Sequence, residues 1–327
     1  METVLVTGGS GYVGREVIEQ LLQQGKQVTA LVHHTPPDQD IPLIKADLTN
    51  AGELDQALAG KSFDWILHNA SLPGDTGDPQ EMVRVNVNGC LNLLEYARKT
   101  GVKRFVQISS ISAYEWYPAT KFCPPDYMPV DEDHPTRPRD MYSTTKRMQE
   151  LLAMTYFHQY QLPTTALRLT AVVGPYGRGG GRGYREMAEQ LAEGVRVQIP
   201  HFSAQELCHY VDVRDVARME IAVCEQPKAA GEIFNCVGPA AVRGSDFVDI
   251  IQKLVPGIQA EFGFPWSMAQ GGEIAFSMEK AKRLLDFVPR YTLEDSITSI
   301  VDWIKAGGLQ KTRTASDGSY GSGVQNN

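Results

Sequence analysis

"VTGGSGYVG", residues Val6 to Gly14, joins an apolar run to a helical pattern through spaced glycines. Ahead of it, "TVLVT" reads as a strand. Behind it, Tyr12 to Gln24 repeats apolar residues at helical spacing, namely Val13, Val17, Ile18, Leu21 and Leu22. Gly8, Gly11 and Gly14 fall between the two, and Gly9, Gly11 and Gly14 also fit the wording G-x-G-x-x-G. Glycine lets the backbone approach a pyrophosphate, whose oxygens meet main-chain N–H groups where the helix dipole favours negative charge. Gly8, Gly11, Tyr12, Val13 and Gly14 are therefore expected to cradle a dinucleotide.

The second expected strand, "QVTALV", is followed by His33 and His34, with neither an acid for a ribose 2′-hydroxyl nor an arginine for a 2′-phosphate. The nearest acids, Asp38 and Asp40, lie beyond two prolines. The expected cofactor is NAD or NADP, with a slight tilt to NADP because no carboxylate repels the phosphate. His33 is its candidate contact.

Working outward, "PLIKAD", "DWILHNA" and "RFVQISS" alternate with the helical stretches "AGELDQALAG" and "MVRVNVNGCLNLLEYARKTG". Strands alternating with helices predict an α/β fold, a Rossmann-type doubly wound parallel sheet covered on both faces. Prolines break residues 115–139 into a long ordered loop. A helix from about Ser143 to Tyr160 and a strand "TTALRLTAVVG" follow. The expected organisation is a dinucleotide-binding domain over 1–175 and a mainly substrate-binding α/β part over 176–308. Segments such as 207–238 return to the first domain, and the tail over 309–327, poor in large aliphatics, reads as disordered.

Composition limits the partners. The chain has 327 residues, 42% hydrophobic and 21% charged, with a net charge of −8. That balance fits a globular protein with a small-molecule substrate and argues against nucleic acid, which needs a basic surface. No apolar run approaches the length of a membrane span, and no basic-then-apolar leader opens the sequence, so a cytoplasmic location is expected. The five cysteines are widely spaced without a CxxC pair, which predicts buried thiols and no metal site.

"YSTTK", Tyr142 to Lys146, holds a tyrosine and a lysine one helical turn apart, and "YPATK", Tyr117 to Lys121, repeats the spacing. Tyr117 precedes a proline in the broken loop, whereas Tyr142 opens a helix that presents both side chains on one face. A free phenol, with a pKa near 10, is a poor base at neutral pH, but a neighbouring ammonium favours the phenolate. Tyr142 is then able to exchange a proton with a substrate hydroxyl while hydride leaves the same carbon.

"VTGGSGYVG", "ADLTN", "ILHNAS", "RVNVNGCLNLLEYA", "FVQISSISAY", "YSTTK", "LRLTAVVGPYG", "HYVDVRDVA" and "GEIFNCVG", in this order, resemble the extended short-chain dehydrogenase/reductases. This branch is also called the NAD-dependent epimerase/dehydratase family. The resemblance implies a catalytic triad of Ser110, Tyr142 and Lys146, with Ser109 the alternative serine and Lys146 also holding the nicotinamide ribose. It implies Asp47 and Leu48 at the adenine, Ala70 beside the cofactor, and Arg168, Leu169 and Thr170 on the nicotinamide side. Asn86 and Ser112 are candidate substrate contacts. It also implies a homodimer through helices at about Val87–Arg98 and Ser143–Tyr160.

Relatives that act on nucleotide sugars grip the diphosphate with an asparagine and an arginine; this chain has Ala171 and Cys208 there. Both losses remove donors that a buried diphosphate requires. Arg178, in "GRGGGRGYRE", is a candidate replacement. The leading expectation is an NAD(P)-dependent oxidoreductase of a secondary alcohol or ketone, including sugars or sugar acids without a nucleotide. The alternatives are a nucleotide-sugar epimerase or dehydratase and a non-catalytic dinucleotide-sensing protein.

Overall fold

The computed structural model describes residues 1–72, 78–114, 124–176, 182–194, 196–199, 201–263 and 271–308, with backbone alone for 182–185. The strands are β1 (Thr3–Thr7), β2 (Gln27–Val32), β3 (Leu43–Lys45), β4 (Trp65–His68), β5 (Arg104–Ser110), β6 (Thr164–Leu169), β7 (Ala171–Val173), β8 (Arg196–Gln198), β9 (Leu207–Asp212), β10 (Glu232–Cys236), β11 (Ala241–Arg243) and β12 (Gln259–Glu261). The helices are α1 (Tyr12–Gln23), α2 (Ala51–Ala57), α3 (Pro79–Met82), α4 (Gly89–Thr100), α5 (Met141–Tyr160), α6 (Arg182–Glu193), α7 (Val213–Glu225), α8 (Gly244–Leu254), α9 (Glu279–Leu285) and α10 (Leu293–Lys305).

Seven strands form one parallel sheet in the order β10-β6-β5-β4-β1-β2-β3. Alternation along each strand divides the core between its faces. Val4 and Val6 of β1 and Trp65 and Leu67 of β4 pack with Val17, Ile18 and Leu21 of α1 and with α7. Leu5 and Ile66 point the other way, against Cys90, Leu93, Leu94 and Ala97 of α4. Helices on both faces are the reason these strands are apolar throughout. Strand order reverses between β1 and β4, so a crevice opens beyond their carboxyl ends, where such sheets bind ligands. The predicted Rossmann-type sheet is the one observed.

A second, smaller assembly holds a three-stranded sheet, β11-β9-β7, and the pair β12-β8, packed with α6, α8 and α10 around their own apolar cluster. The stretch "TTALRLTAVVG", expected as one strand, is two. Thr170 leaves the ladder, donating through its hydroxyl to His209 O, and the chain passes from the large sheet to the small one. The helical stretch before α4 also differs from a plain helix, because Val83–Asn88 forms a π-helical turn. Of the proline-broken loop, residues 124–139 are pinned: Val130 bridges Phe276, and Asn235 of β10 holds Val130 O (3.0 Å) and the Glu132 carboxylate (2.8 Å). The predicted tail lies outside the described residues, and no described helix is long and apolar enough to cross a membrane.

Candidate active site

The glycine turn is shaped by close approach. Gly8 has φ +68°, and a Cβ there would stand 2.7 Å from the backbone of Asn69 and Ala70. A Cβ on Gly14 would stand 2.3 Å from Gly8 O, so α1 meets the turn only without a side chain. Gly11 is the N-cap of α1, and it supplies no side-chain bond and no acid in the first turn. An uncapped helix N-terminus at the crevice suits a diphosphate. The floor is set by Thr7, whose hydroxyl accepts from Ala70 N–H (3.1 Å) and bonds His68 Nδ1 (2.8 Å). Burial, with Lys146 nearby, pushes His68 down to about 3, so that ring is neutral.

At the adenosine end, His33 is exposed and its ring lies 3.6 Å from that of His34. Asp38 is paired with Arg15 and is not directed at a ribose. Asp47 accepts from Thr49 N–H (2.9 Å) and Thr49 Oγ (2.8 Å), and Arg84 lies 3.6 Å away. Partial burial opposes its charge, yet these bonds, with His33 and Arg84, hold its carboxyl below the usual range. Leu48 is fixed through its carbonyl by Asn92 (2.8 Å).

Asp140 caps α5, accepting from Ser143 N–H (2.7 Å) and Ser143 Oγ (2.8 Å), and so starts the helix with Tyr142 in its first turn. Lys146, one turn on, is buried and donates to Ile108 O (2.9 Å), with its Nζ 5.7 Å from the centre of the Tyr142 ring. Burial pulls its pKa down to about 8, against the opposing pull of Cys90 and Glu150. Ser110 ends β5, and its oxygen accepts from Ser112 N–H (3.1 Å), which leaves its own proton for another acceptor. Ser109 faces away and donates to Glu150 (2.6 Å). Ser112 Oγ is buried with no hydrogen-bond partner.

A family model described as the NAD dependent epimerase/dehydratase family matches residues 4–237. The chain belongs to the NAD-dependent epimerase/dehydratase family. As a member, it is an enzyme of the oxidoreductase or epimerase/dehydratase type that works with NAD. It is 27% identical over 323 residues to the UDP-glucuronate 4-epimerase of Thermodesulfobacterium geofontis, covering 92% of this chain and 95% of that one. It is 28% identical over 311 residues to the UDP-glucose 4-epimerase of Corynebacterium glutamicum, covering 88% and 91%. Its fold resembles that of the Bacillus cereus UDP-glucuronic acid 4-epimerase, solved with UDP-glucuronic acid and NAD. There the TM-score is 0.76 at 23% identity, with 93% of this chain and 99% of that one covered.

In this family member the candidate residues stand at carboxyl ends of neighbouring strands: the glycine turn after β1, His33 after β2, Asp47 and Leu48 after β3, Ala70 after β4, Ser110 after β5, and Leu169 and Thr170 at the end of β6. Two expected residues have partners within the protein. Asn86 is fully buried, accepting from Leu72 N–H (2.8 Å) and donating to Thr145 Oγ1 (3.0 Å), and so ties the strand end to α5. Arg168 binds Glu150 through both Nε and Nη2, at 2.8 and 2.9 Å, and its guanidinium lies 4.5 Å from the Tyr114 ring. Arg178, Tyr117 and Lys121 lie outside the described residues.

Sequence reasoning missed Glu150, which joins Ser109, Arg147 and Arg168 beneath the triad. Its place on the helix, one turn past Lys146, was an available signal. It also missed Glu220 of α7, fully buried and reached by Asn69 Nδ2 (3.1 Å), directly below the glycine turn. Glu220 Oε1 and Asn69 Oδ1 have no partner. No spacing rule joins two residues so far apart in the chain.

Proposed function

We propose that the protein is an NAD-dependent epimerase of a nucleotide-activated sugar, inverting one carbinol centre by oxidation and re-reduction. One observation carries this reading: Ser110, with a proton to donate, ends β5, and the buried Lys146 reaches Ile108 O of that strand (2.9 Å) with its Nζ 5.7 Å from the Tyr142 ring. The UDP-sugar epimerases among the relatives support the substrate class. NAD, when bound, would supply the hydride acceptor and then the hydride donor, and inversion requires that the intermediate carbonyl present its opposite face before the hydride returns. Gly8, Gly11 and Gly14 hold the diphosphate, and Asp47 and Leu48 border the adenine.

Tyr142 removes the hydroxyl proton as the carbonyl forms and returns it when the carbinol is rebuilt. Ser110 donates to that oxygen and stabilises its negative charge. The Lys146 ammonium, largely charged at pH 7 with a pKa of about 8, favours the phenolate. Proton and hydride are both restored, so the net reaction consumes no cofactor.

A second reading, a dehydrogenase of a secondary alcohol without a nucleotide, is favoured by Ala171 and by the full burial of Cys208, neither of which offers a diphosphate a donor. We also read the adenosine end as open to NADP, since the acid nearest the end of β2 is engaged by Arg15. The exposed apolar residues Met148 and Leu151, three apart on α5, support a homodimer of this chain.

The test is direct. The purified protein is incubated with UDP-glucose, UDP-galactose and UDP-glucuronate, products are followed by NMR, and reduced nicotinamide is followed by absorbance. Epimer without net absorbance change is the expected result; no epimer from these, with steady reduction of added NAD on the corresponding sugars without a nucleotide, overturns it for the second reading. Tyr142→Phe is expected to lower kcat by about 10² to 10⁴ while bound nucleotide is unchanged. Full activity in that variant removes Tyr142 from the mechanism.

A further inference from the structure

We propose that His201, Glu206 and Cys208 form a binding site for one zinc-type divalent metal ion inside the smaller sheet assembly. One ligand atom from each lies within 4.8 Å of the others, and all three residues are fully buried. Imidazole, carboxylate and thiolate together select a borderline-soft ion such as Zn²⁺ over Mg²⁺ or Ca²⁺, which take oxygen.

The side chains are already aimed. Backbone N–H groups of Gly271 (2.9 Å) and Phe202 fix the two carboxylate oxygens of Glu206. The His201 ring is set by the Tyr210 hydroxyl at Nδ1 (3.1 Å) and by the Phe247 ring, 5.6 Å between centres, and its Nε2 makes a long contact to Val242 O (3.5 Å) that a metal would replace. Such outer bonds orient ligands at metal centres. Zn–ligand bonds of about 2.0 to 2.3 Å at tetrahedral angles put ligand atoms roughly 3.3 to 3.8 Å apart, so modest side-chain rotation closes the set.

Charge supports the same ion. A thiolate, a carboxylate and a divalent cation sum to zero with neutral imidazole, so the filled cluster buries no net charge. Loading releases the Cys208 proton to solvent as the sulfur–metal bond forms. The ion would fasten the segment between β8 and β9 to β9 itself. A water would complete the fourth position. The spacing, four residues and then one, matches no familiar metal pattern, so nothing in the sequence signalled the cluster.

The full-length protein, purified without a metal-binding tag or chelator, is expected to carry about one zinc per chain by elemental analysis. After chelation and addition of Co²⁺, a sulfur-to-cobalt charge-transfer band is expected in the wild type and absent in Cys208→Ser. His201→Gln is expected to lose the zinc too, and chelation should lower Tm in the wild type only. Protein without zinc that shows neither the cobalt band nor a Tm shift on adding Zn²⁺ overturns the proposal. So does metal retained in both variants. Each readout is independent of the sugar reaction.

Discussion

Ser109 and Ser110 are adjacent on β5, yet their hydroxyls meet opposite environments, one the buried Glu150 and the other the crevice. Ser110→Ala is expected to lower kcat by about 10² to 10³, the cost of one lost donor to a developing oxyanion. Ser109→Ala should leave kcat near the wild-type value and lower stability by about 1 to 3 kcal/mol, because Glu150 loses a buried bond. Comparable kcat losses in both variants would refute the assignment. Glu220 gives a pH prediction. Burial, partly offset by the bond from Asn69, raises its pKa from 4.5 to about 8. The folded state then holds a proton that the unfolded state has released, so stability is full below about pH 4.5 and falls as pH rises toward 8. The slope is at most about 1.4 kcal/mol per pH unit. Glu220→Gln should flatten it in urea titrations, and an unchanged slope would sink the idea. At this scale the sequence announced residues whose role follows from local spacing, such as Gly8 and the Tyr142–Lys146 pair. It hid Asn69–Glu220 and Glu150–Arg168, whose partners meet only after the sheet has formed.

At the scale of elements, α5 serves two surfaces. Its inner face sets Tyr142 and Lys146 and seals the sheet with Ala153 and Tyr156, while Met148 and Leu151 stay exposed on the outer face. If a second copy covers that face, Leu151→Glu should convert a dimer to a monomer in light scattering and leave the bound nucleotide unchanged. A wild-type protein that is monomeric at micromolar concentration rejects the dimer. Helix limits were largely legible because caps are local: Asp140 begins α5, and Gln161 in the left-handed region ends it. The π-helical turn before α4 was not legible, since "VRVNVNG" satisfies a helical pattern whether or not one residue is inserted. The break at Thr170 escaped for a related reason. An apolar run reads as one strand even when its halves join different sheets.

For the whole molecule, the β-α alternation of the first half revealed the parallel sheet, whose last strand lies within 207–238, a stretch expected to rejoin the first domain. β10 comes from beyond the smaller assembly and pairs with β6 at the sheet edge, and α7 covers the face beside α1. A fragment of residues 1–175 lacks both, leaving Val4, Val6 and Val106 without part of their cover. It should show no cooperative unfolding transition in circular dichroism; a sharp transition with retained NAD binding would contradict this. The position of β10 also bears on synthesis. A ribosome adding 5–20 residues per second needs roughly 3 to 12 s to pass from Leu169 to Glu232. Throughout that interval β6 is an unpaired edge on a nascent chain, a template for strands of neighbouring polypeptides. Slow codons between those two residues are therefore expected to raise the insoluble fraction of the protein, and an unchanged fraction would contradict this.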